Sequence, residues 1–362
     1  MATPTGIDPE TLHLLDPDRM WEKIGSMGDH LIDAERRSYE SLVGLKIIGA
    51  SIRNIIVAGM GGSAVGGELV ASYLRGELRV PMFVNRSYNL PEWAGRSAEP
   101  QNTLVIAVSY SGGTEETLAQ YAEAKERKIP VICITTGGKL AELARAAGDP
   151  IILVPGGMQP RAALAYSLIP ILVILFELEL IPNRVHSIKV AGEHLRYLAT
   201  IYGPTASEES NLPVKLAAKL FDKIAIVYSG DNLSAVNYRW RGQFHENAKH
   251  FAFGNVLPEL GHIEISGWQF PQAMLEHFSA VFLRSREDEH PQVSKKLEVI
   301  KSMLVARGIL VHEYEATGST KLDRLFSLIA LADWTSYYLA LLSGVNPTPI
   351  PAIEAFKKAL EP

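Results

Sequence analysis

Cysteine is nearly absent: Cys133 stands alone in 362 residues. No internal disulfide can form, and a reducing cytoplasm is the expected setting. Cysteine-rich metal sites are excluded with it, and no H-x-x-x-H pair occurs, so no resident metal is expected. A basic excess is missing too. The 35 Lys and Arg face 40 Asp and Glu, for a net charge of -5, and without a basic run this excludes a dedicated nucleic-acid binder. The longest apolar segment, Ala162–Phe176, falls short of the ~18–20 residues that a membrane span needs. Pro170 and Glu177 interrupt it, so a core helix is expected there. MATPTGIDPE at the start has neither a basic region nor an apolar stretch, and no export signal is expected.

What is present is a globular chain, 47% apolar, with a length that suggests two domains. Its organising stretch is Ile55–Ala64, IIVAGMGGSA, an apolar run that breaks into glycines and a serine before AVGGELVASYL. That pattern predicts a buried strand, a tight loop and a helix N-terminus. Gly59, Gly61 and Gly62 allow close approach to a ligand, and the free N–H groups of the helix start suit an anion such as phosphate.

Strand and helix then alternate. Leu12 to about Ile48 reads as helical, with Asp16-Pro17 as a start signal, and residues 1–48 form an N-terminal helical segment. Residues 49–182 form a first α/β domain, with strands around Ile55, at Val80–Tyr88, in LVIAV, PVICITT and PIILVPGG, closed by an apolar helix. Residues 183–210 are a connector helix. Residues 211–345 repeat the layout at an offset of roughly 165 residues, with KIAIVYSG, AVFLRS and ILVHEYEA as strands. Between the first two lies a helix expected to run over Leu233–Phe253. Residues 346–362 are a helical tail. Such alternation argues for parallel sheets covered on both faces.

Ligands bind at carboxyl ends of strands in open α/β sheets. Two loops qualify: Gly61-Gly62-Ser63, and Ser109-Tyr110-Ser111-Gly112-Gly113-Thr114. Three hydroxyls beside two glycines can surround a phosphate, although Glu115 and Glu116 would repel it unless turned away. Ser111 or Thr114 could instead merely cap the next helix. Gly59-x-Gly61-x-x-Ala64 is also a partial dinucleotide fingerprint. It lacks the acid for the ribose, and Arg86 could meet a 2′-phosphate, which leaves an NADP-dependent oxidoreductase as an alternative. Arg161 stands at a strand-to-helix junction, where either a surface salt bridge or a ligand contact is open. In NYRWRGQFHENAKHF, Val236, Trp240, Phe244, Ala248 and Phe251 form the expected buried stripe. Glu246 lies nearly opposite, on a face shared with Arg239, Gln243, Asn247 and His250 that suits a cleft or a subunit contact. His262, in the loop PELGHIEISG, has proton chemistry near neutral pH.

With these residues laid out, the sequence resembles the bifunctional phosphoglucose/phosphomannose isomerases, within the sugar-isomerase (SIS) domain superfamily. The likeness rests on GMGGSA (59–64), SYSGGTEET (109–117), QPRAALAYS (159–167), HENAKH (245–250), PELGHIE (258–264) and the C-terminal IEAFKKAL. It implies two SIS domains, each a three-layer αβα sandwich. It implies a cytoplasmic homodimer with shared active sites, and reversible conversion of fructose 6-phosphate to glucose or mannose 6-phosphate without metal or organic cofactor. By motif position, Ser63, Ser109, Ser111 and Thr114 would hold the phosphate, with backbone from Gly61 and Gly62. Arg161 would steady the enediolate, and Glu246 would be the base. His262, from the partner subunit, and Lys357 would serve ring opening. Gly261 and Ile263 stand where the family usually has asparagine, and Lys358 adjoins Lys357. The alternative from another class is a non-catalytic SIS module that only senses a sugar phosphate; it would need the serine-rich cradle but not Glu246 or Lys357.

Overall fold

Two short helices, α1 (Pro9–Leu15) and α2 (Met20–Gly25), open the part of the chain that the computed structural model describes, residues 9–95 and 99–360. Most of the stretch read for an export signal lies outside those residues. The Asp16 carboxylate accepts the amides of Met20 at 2.7 Å and Trp21 at 3.2 Å, which fixes where α2 begins. Helix α3 (Met27–Ser41) stops short of Ile48. The chain divides into an N-terminal unit, residues 27–193, and a C-terminal unit, residues up to Ser26 with 194–362.

The N-terminal unit runs β1 (Asn54–Ala58), α4 (Gly61–Tyr73), β2 (Met82–Asn85), β3 (Thr103–Ser109), α5 (Glu115–Glu126), β4 (Val131–Thr135), α6 (Gly138–Ala147), β5 (Ile151–Leu153) and α7 (Leu164–Glu177). Its five strands are all parallel in the order β2-β1-β3-β4-β5. Central β3 is buried at every residue, as a strand covered on both faces must be. Ile56, Val105, Ala107, Tyr121, Ala124 and Leu140 pack one side of the sheet. Helix α7 is buried from Leu164 to Leu175, which is why its sequence is apolar all round.

Helix α8 (Val185–Tyr202) carries the chain into the C-terminal unit. There α9 (Leu212–Leu220), β6 (Ile224–Gly230), α10 (Ser234–Glu246), β7 (Ala252–Leu257), β8 (Phe278–Arg284), α11 (Pro291–Ala306), β9 (Leu310–Glu315), α12 (Lys321–Leu342) and α13 (Pro351–Ala359) follow. The sheet order β7-β6-β8-β9, again all parallel, repeats the first sheet without its fifth strand. The duplicated layout is therefore real. Helix α12 is long and apolar enough to cross a membrane, but 94% of its most apolar window is buried in the protein.

A second element differs from expectation. Helix α10 ends at Glu246, and Ala252 and Phe253 instead begin edge strand β7, paired with Ala225 and Ile226 of β6. Val236, Trp240, Phe244 and Ala248 are buried as expected, whereas Phe251 is 72% exposed and belongs to no buried stripe.

Candidate active site

The first sheet reverses direction between β1 and β3, so the loops after those two strands flank its topological switch point, where open α/β sheets bind ligands. After β1 the chain turns directly into α4, and the amides of Gly61 and Gly62 have no i−4 carbonyl to bond. A Cβ on Gly62 would lie 3.0 Å from the Pro160 carbonyl oxygen and 3.4 Å from the Arg161 nitrogen. Glycine there lets the helix start sit against the segment that carries Arg161. Ser63, in the same first turn, is buried.

The loop after β3 folds back on itself. Ser109 Oγ and Thr114 Oγ1 are 2.8 Å apart, and the Thr114 amide reaches Ser109 Oγ at 3.4 Å. Thr114 is the N-cap residue of α5, yet its side chain makes no capping bond, and Ser111 Oγ accepts the Gly113 amide at 3.3 Å. The hydroxyls thus serve the loop rather than the helix, against the capping interpretation. Gly112 has φ +70°, and a Cβ there would sit 1.9 Å from the Gly137 carbonyl oxygen, so only glycine fits. Glu115 is exposed and is met by the Tyr88 hydroxyl at 3.3 Å. Arg86, which a 2′-phosphate would need, pairs with Glu68 at 2.7 Å.

Arg161 lies in a 3₁₀ turn just before α7 and is 3% exposed. A surface salt bridge is thereby excluded. Its segment is tied to the serine loop through Tyr110, whose hydroxyl donates to the Pro155 carbonyl at 2.8 Å and accepts the Met158 amide at 3.2 Å. Tyr110 is a bracing residue that sequence reasoning passes over, since its partners lie some 45 residues away. Gly61, Gly62, Ser63, Ser109, Ser111, Thr114 and Arg161 are therefore gathered in one unit, around one edge of one sheet.

The C-terminal unit holds the remaining candidates apart. Glu246 is half-buried and ends α10, a helix running antiparallel to the strands, so it stands at their amino edge. His262 follows the carboxyl end of β7 and is exposed. A six-residue strand spans roughly 20 Å, so Glu246 and His262 of one chain occupy opposite edges of the sheet. His262 lines a cleft of about 300 Å³ with Lys295, Lys296, Ile265, Val299 and Ile300. Lys357 and Lys358 both lie exposed in the last turn of α13. Three residues of that α10 face, Arg239, Gln243 and Asn247, open onto neither a cleft nor a second subunit. Those three are buried against α12, where Asp333 accepts from Arg239 Nη2 at 2.6 Å and Gln243 Nε2 at 2.8 Å, and Asn247 Nδ2 donates to Ser336 Oγ at 3.0 Å. Among the described residues, no group of three His, Cys, Asp or Glu could hold a metal ion.

Residues 50–177 match the SIS domain family, and residues 209–360 match the bacterial phospho-glucose isomerase C-terminal SIS domain. The chain is 37% identical to a bifunctional phosphoglucose/phosphomannose isomerase of Caldicellulosiruptor bescii, over 94% of this chain and 98% of that one. It is 32% identical to a protein of the same name from Aquifex aeolicus, over 85% and 91% of the two chains. In fold it is similar to a hypothetical protein of Thermus thermophilus, with a TM-score of 0.73, 16% identity and coverage of 97% and 92%. Since the identity extends over nearly the whole of both sequences, this chain belongs to the bifunctional phosphoglucose/phosphomannose isomerase family.

Proposed function

We propose that the protein interconverts fructose 6-phosphate with both glucose 6-phosphate and mannose 6-phosphate through a cis-enediol(ate). The observation that carries this reading is the pair of hydroxyls, Ser109 and Thr114, 2.8 Å apart at a switch point and unused by the helix they precede, in the same unit as buried Arg161. Together with Ser63, Ser111 and the amides of Gly61 and Gly62, they offer donors suited to a phosphate. In the aldose-to-ketose direction the Glu246 carboxylate takes the proton from C2 and returns it to C1. Arg161 offsets the negative charge that builds on the oxygens in between. The intermediate is planar at C2, so protonation from either face in the reverse direction yields either epimer. His262 and Lys357 assist opening of the sugar ring. Because Glu246 and His262 of one chain lie at opposite sheet edges, a second copy supplies His262, and the working form is a cytoplasmic homodimer.

Incubation with fructose 6-phosphate in EDTA is expected to yield both glucose and mannose 6-phosphates, identified by chromatography or NMR. Binding without turnover would instead favour the sugar-phosphate sensor. Ser109→Ala is expected to raise KM for fructose 6-phosphate about tenfold, the loss of one charge-assisted hydrogen bond, with a much smaller change in kcat. An unchanged KM would place the phosphate elsewhere.

A further inference from the structure

The segment after β7 hangs from its sheet by two apolar plugs and one carboxylate. Leu260 is fully buried and Trp268 nearly so, both packed with Ile226, Tyr228 and Phe282. Between the plugs, Gly261, His262 and Ile263 are exposed. The backbone there is shaped by 3₁₀-type bonds, Gly261 N–H to the Pro258 carbonyl at 3.1 Å and His262 N–H to the Glu259 carbonyl at 2.9 Å. Neither neighbour of His262 carries a side-chain hydrogen-bonding group. The polar restraint comes two residues later. Glu264 accepts from Asn255 Nδ2 at 2.9 Å and from the Tyr228 hydroxyl, and that hydroxyl in turn accepts the Trp268 indole N–H at 2.9 Å. One carboxylate thereby joins β6, β7 and both ends of the loop. Burial and the adjacent Glu264 charge push the Tyr228 phenol far above its ordinary range, so it remains a donor to that carboxylate.

We propose that Glu264 is the positioning residue for His262, fixing the loop so that the imidazole is presented in one orientation. This rests on the role given to His262 above. Glu264 does not touch the sugar; it acts through the geometry of a side chain two residues away. In a site where a displacement of about 1 Å costs up to ~10²-fold, a loop released from this carboxylate tie loses the alignment of the ring-opening group while the phosphate grip, in the other unit, is untouched.

The test is steady-state kinetics on the full chain with fructose 6-phosphate. Glu264→Ala is expected to lower kcat by about 10–100-fold with KM changed less than about threefold. Added to His262→Ala it is expected to cost no more than about twofold further, because its effect passes through the missing ring. Effects that multiply in the double variant, or a Glu264→Ala kcat within twofold of the parent, overturn the proposal. If Glu264→Ala does not fold, Asn255→Ala removes one donor and leaves the carboxylate in place. Its smaller loss, about threefold, must likewise vanish on the His262→Ala background. Should the parent chain show no isomerisation, the functional reading fails, and the tie is judged on His262 itself. Its ring Cε1–H resonance, assigned by its disappearance in His262→Ala, is expected to be single and narrow in the substrate-free parent and broadened or split in Glu264→Ala. An unchanged signal would sink the idea.

Discussion

Glu246→Gln is expected to lower kcat for fructose 6-phosphate by about 10²–10⁴-fold while KM stays within a few-fold, since it removes the proton acceptor and keeps the side chain's size. The amide has the shape of the carboxylate. The helix that presents it is seated by other residues: Trp240 Nε1 donates to the Leu328 carbonyl at 3.0 Å, and Arg239, Gln243 and Asn247 bond α12. None of these bonds uses the Glu246 carboxylate, so they persist in the variant. Stopped turnover with intact binding of the sugar phosphate is the expected pair of results; parental turnover removes the assigned base. The same variant tests the shared site. If His262 comes from a second copy, Glu246→Gln and His262→Ala chains co-expressed in equal amounts form mixed dimers with one intact site. About a quarter of parental activity should return from two nearly inactive parents, half of the dimers being mixed and half of their sites complete. No recovery in dimers shown to be mixed would place both residues in one chain.

Short-range features are legible in the sequence. The runs IIVA, LVIAV and VICIT are buried on both faces and contain no polar interruption, so they read as strands of a parallel sheet. Ser109 and Thr114 lie five residues apart, and their meeting needs only one loop. Strand β7 is not legible. AFGNVL is an edge strand with only Ala252 and Leu257 buried, and so weak a pattern merges with the helix before it, bringing Phe251 into a stripe where it does not belong. Arg239, Gln243 and Asn247 mislead for another reason. A polar row on a helix reads as a solvated or ligand-facing surface, and the carboxylate that turns it into a buried seam, Asp333, lies 94 residues beyond Arg239, inside the most apolar helix of the unit. Tyr110 and the approach of Gly62 to Pro160 share that limit: local sequence states which groups exist, not which distant backbone they will meet.

Arg284→Met is expected to destabilise the C-terminal unit by about 3–5 kcal/mol, because it strands a buried carboxylate. Arg284 ends β8, the position that Ser109 holds at the end of β3, but here the strand terminus is filled by charge. Its guanidinium is fully buried and donates to Glu289 at 2.8 Å, Glu298 at 2.5 Å, Glu313 at 3.2 Å and Ser294 at 2.8 Å. Burial opposes its charge, but hydrogen bonds to Glu289 and Glu298 outweigh that and hold its pKa above the usual range. Glu289 is as buried as its partner, at 1% side-chain exposure, so the single substitution leaves it without a counter-charge. Arg284→Met with Glu289→Met removes both ions and should recover at least half of the loss, since an apolar pair of similar volume can replace a buried ion pair. Urea unfolding followed by tryptophan fluorescence reads this well, as Trp21, Trp240, Trp268 and Trp334 lie in the C-terminal unit and only Trp93 in the other. The acid limb should change as well. Glu298 is drawn down from 4.5 to about 2, first by Lys301 and then by Arg284. Its contribution is complete above the ordinary value and disappears as pH falls toward the lowered one. Losing Arg284 should therefore flatten, but not abolish, the fall in stability over that range, Lys301 remaining at 2.5 Å from Glu298. A single variant no less stable than the parent, or a double variant no better than the single, would mean that the cluster is solvated in solution and holds nothing together.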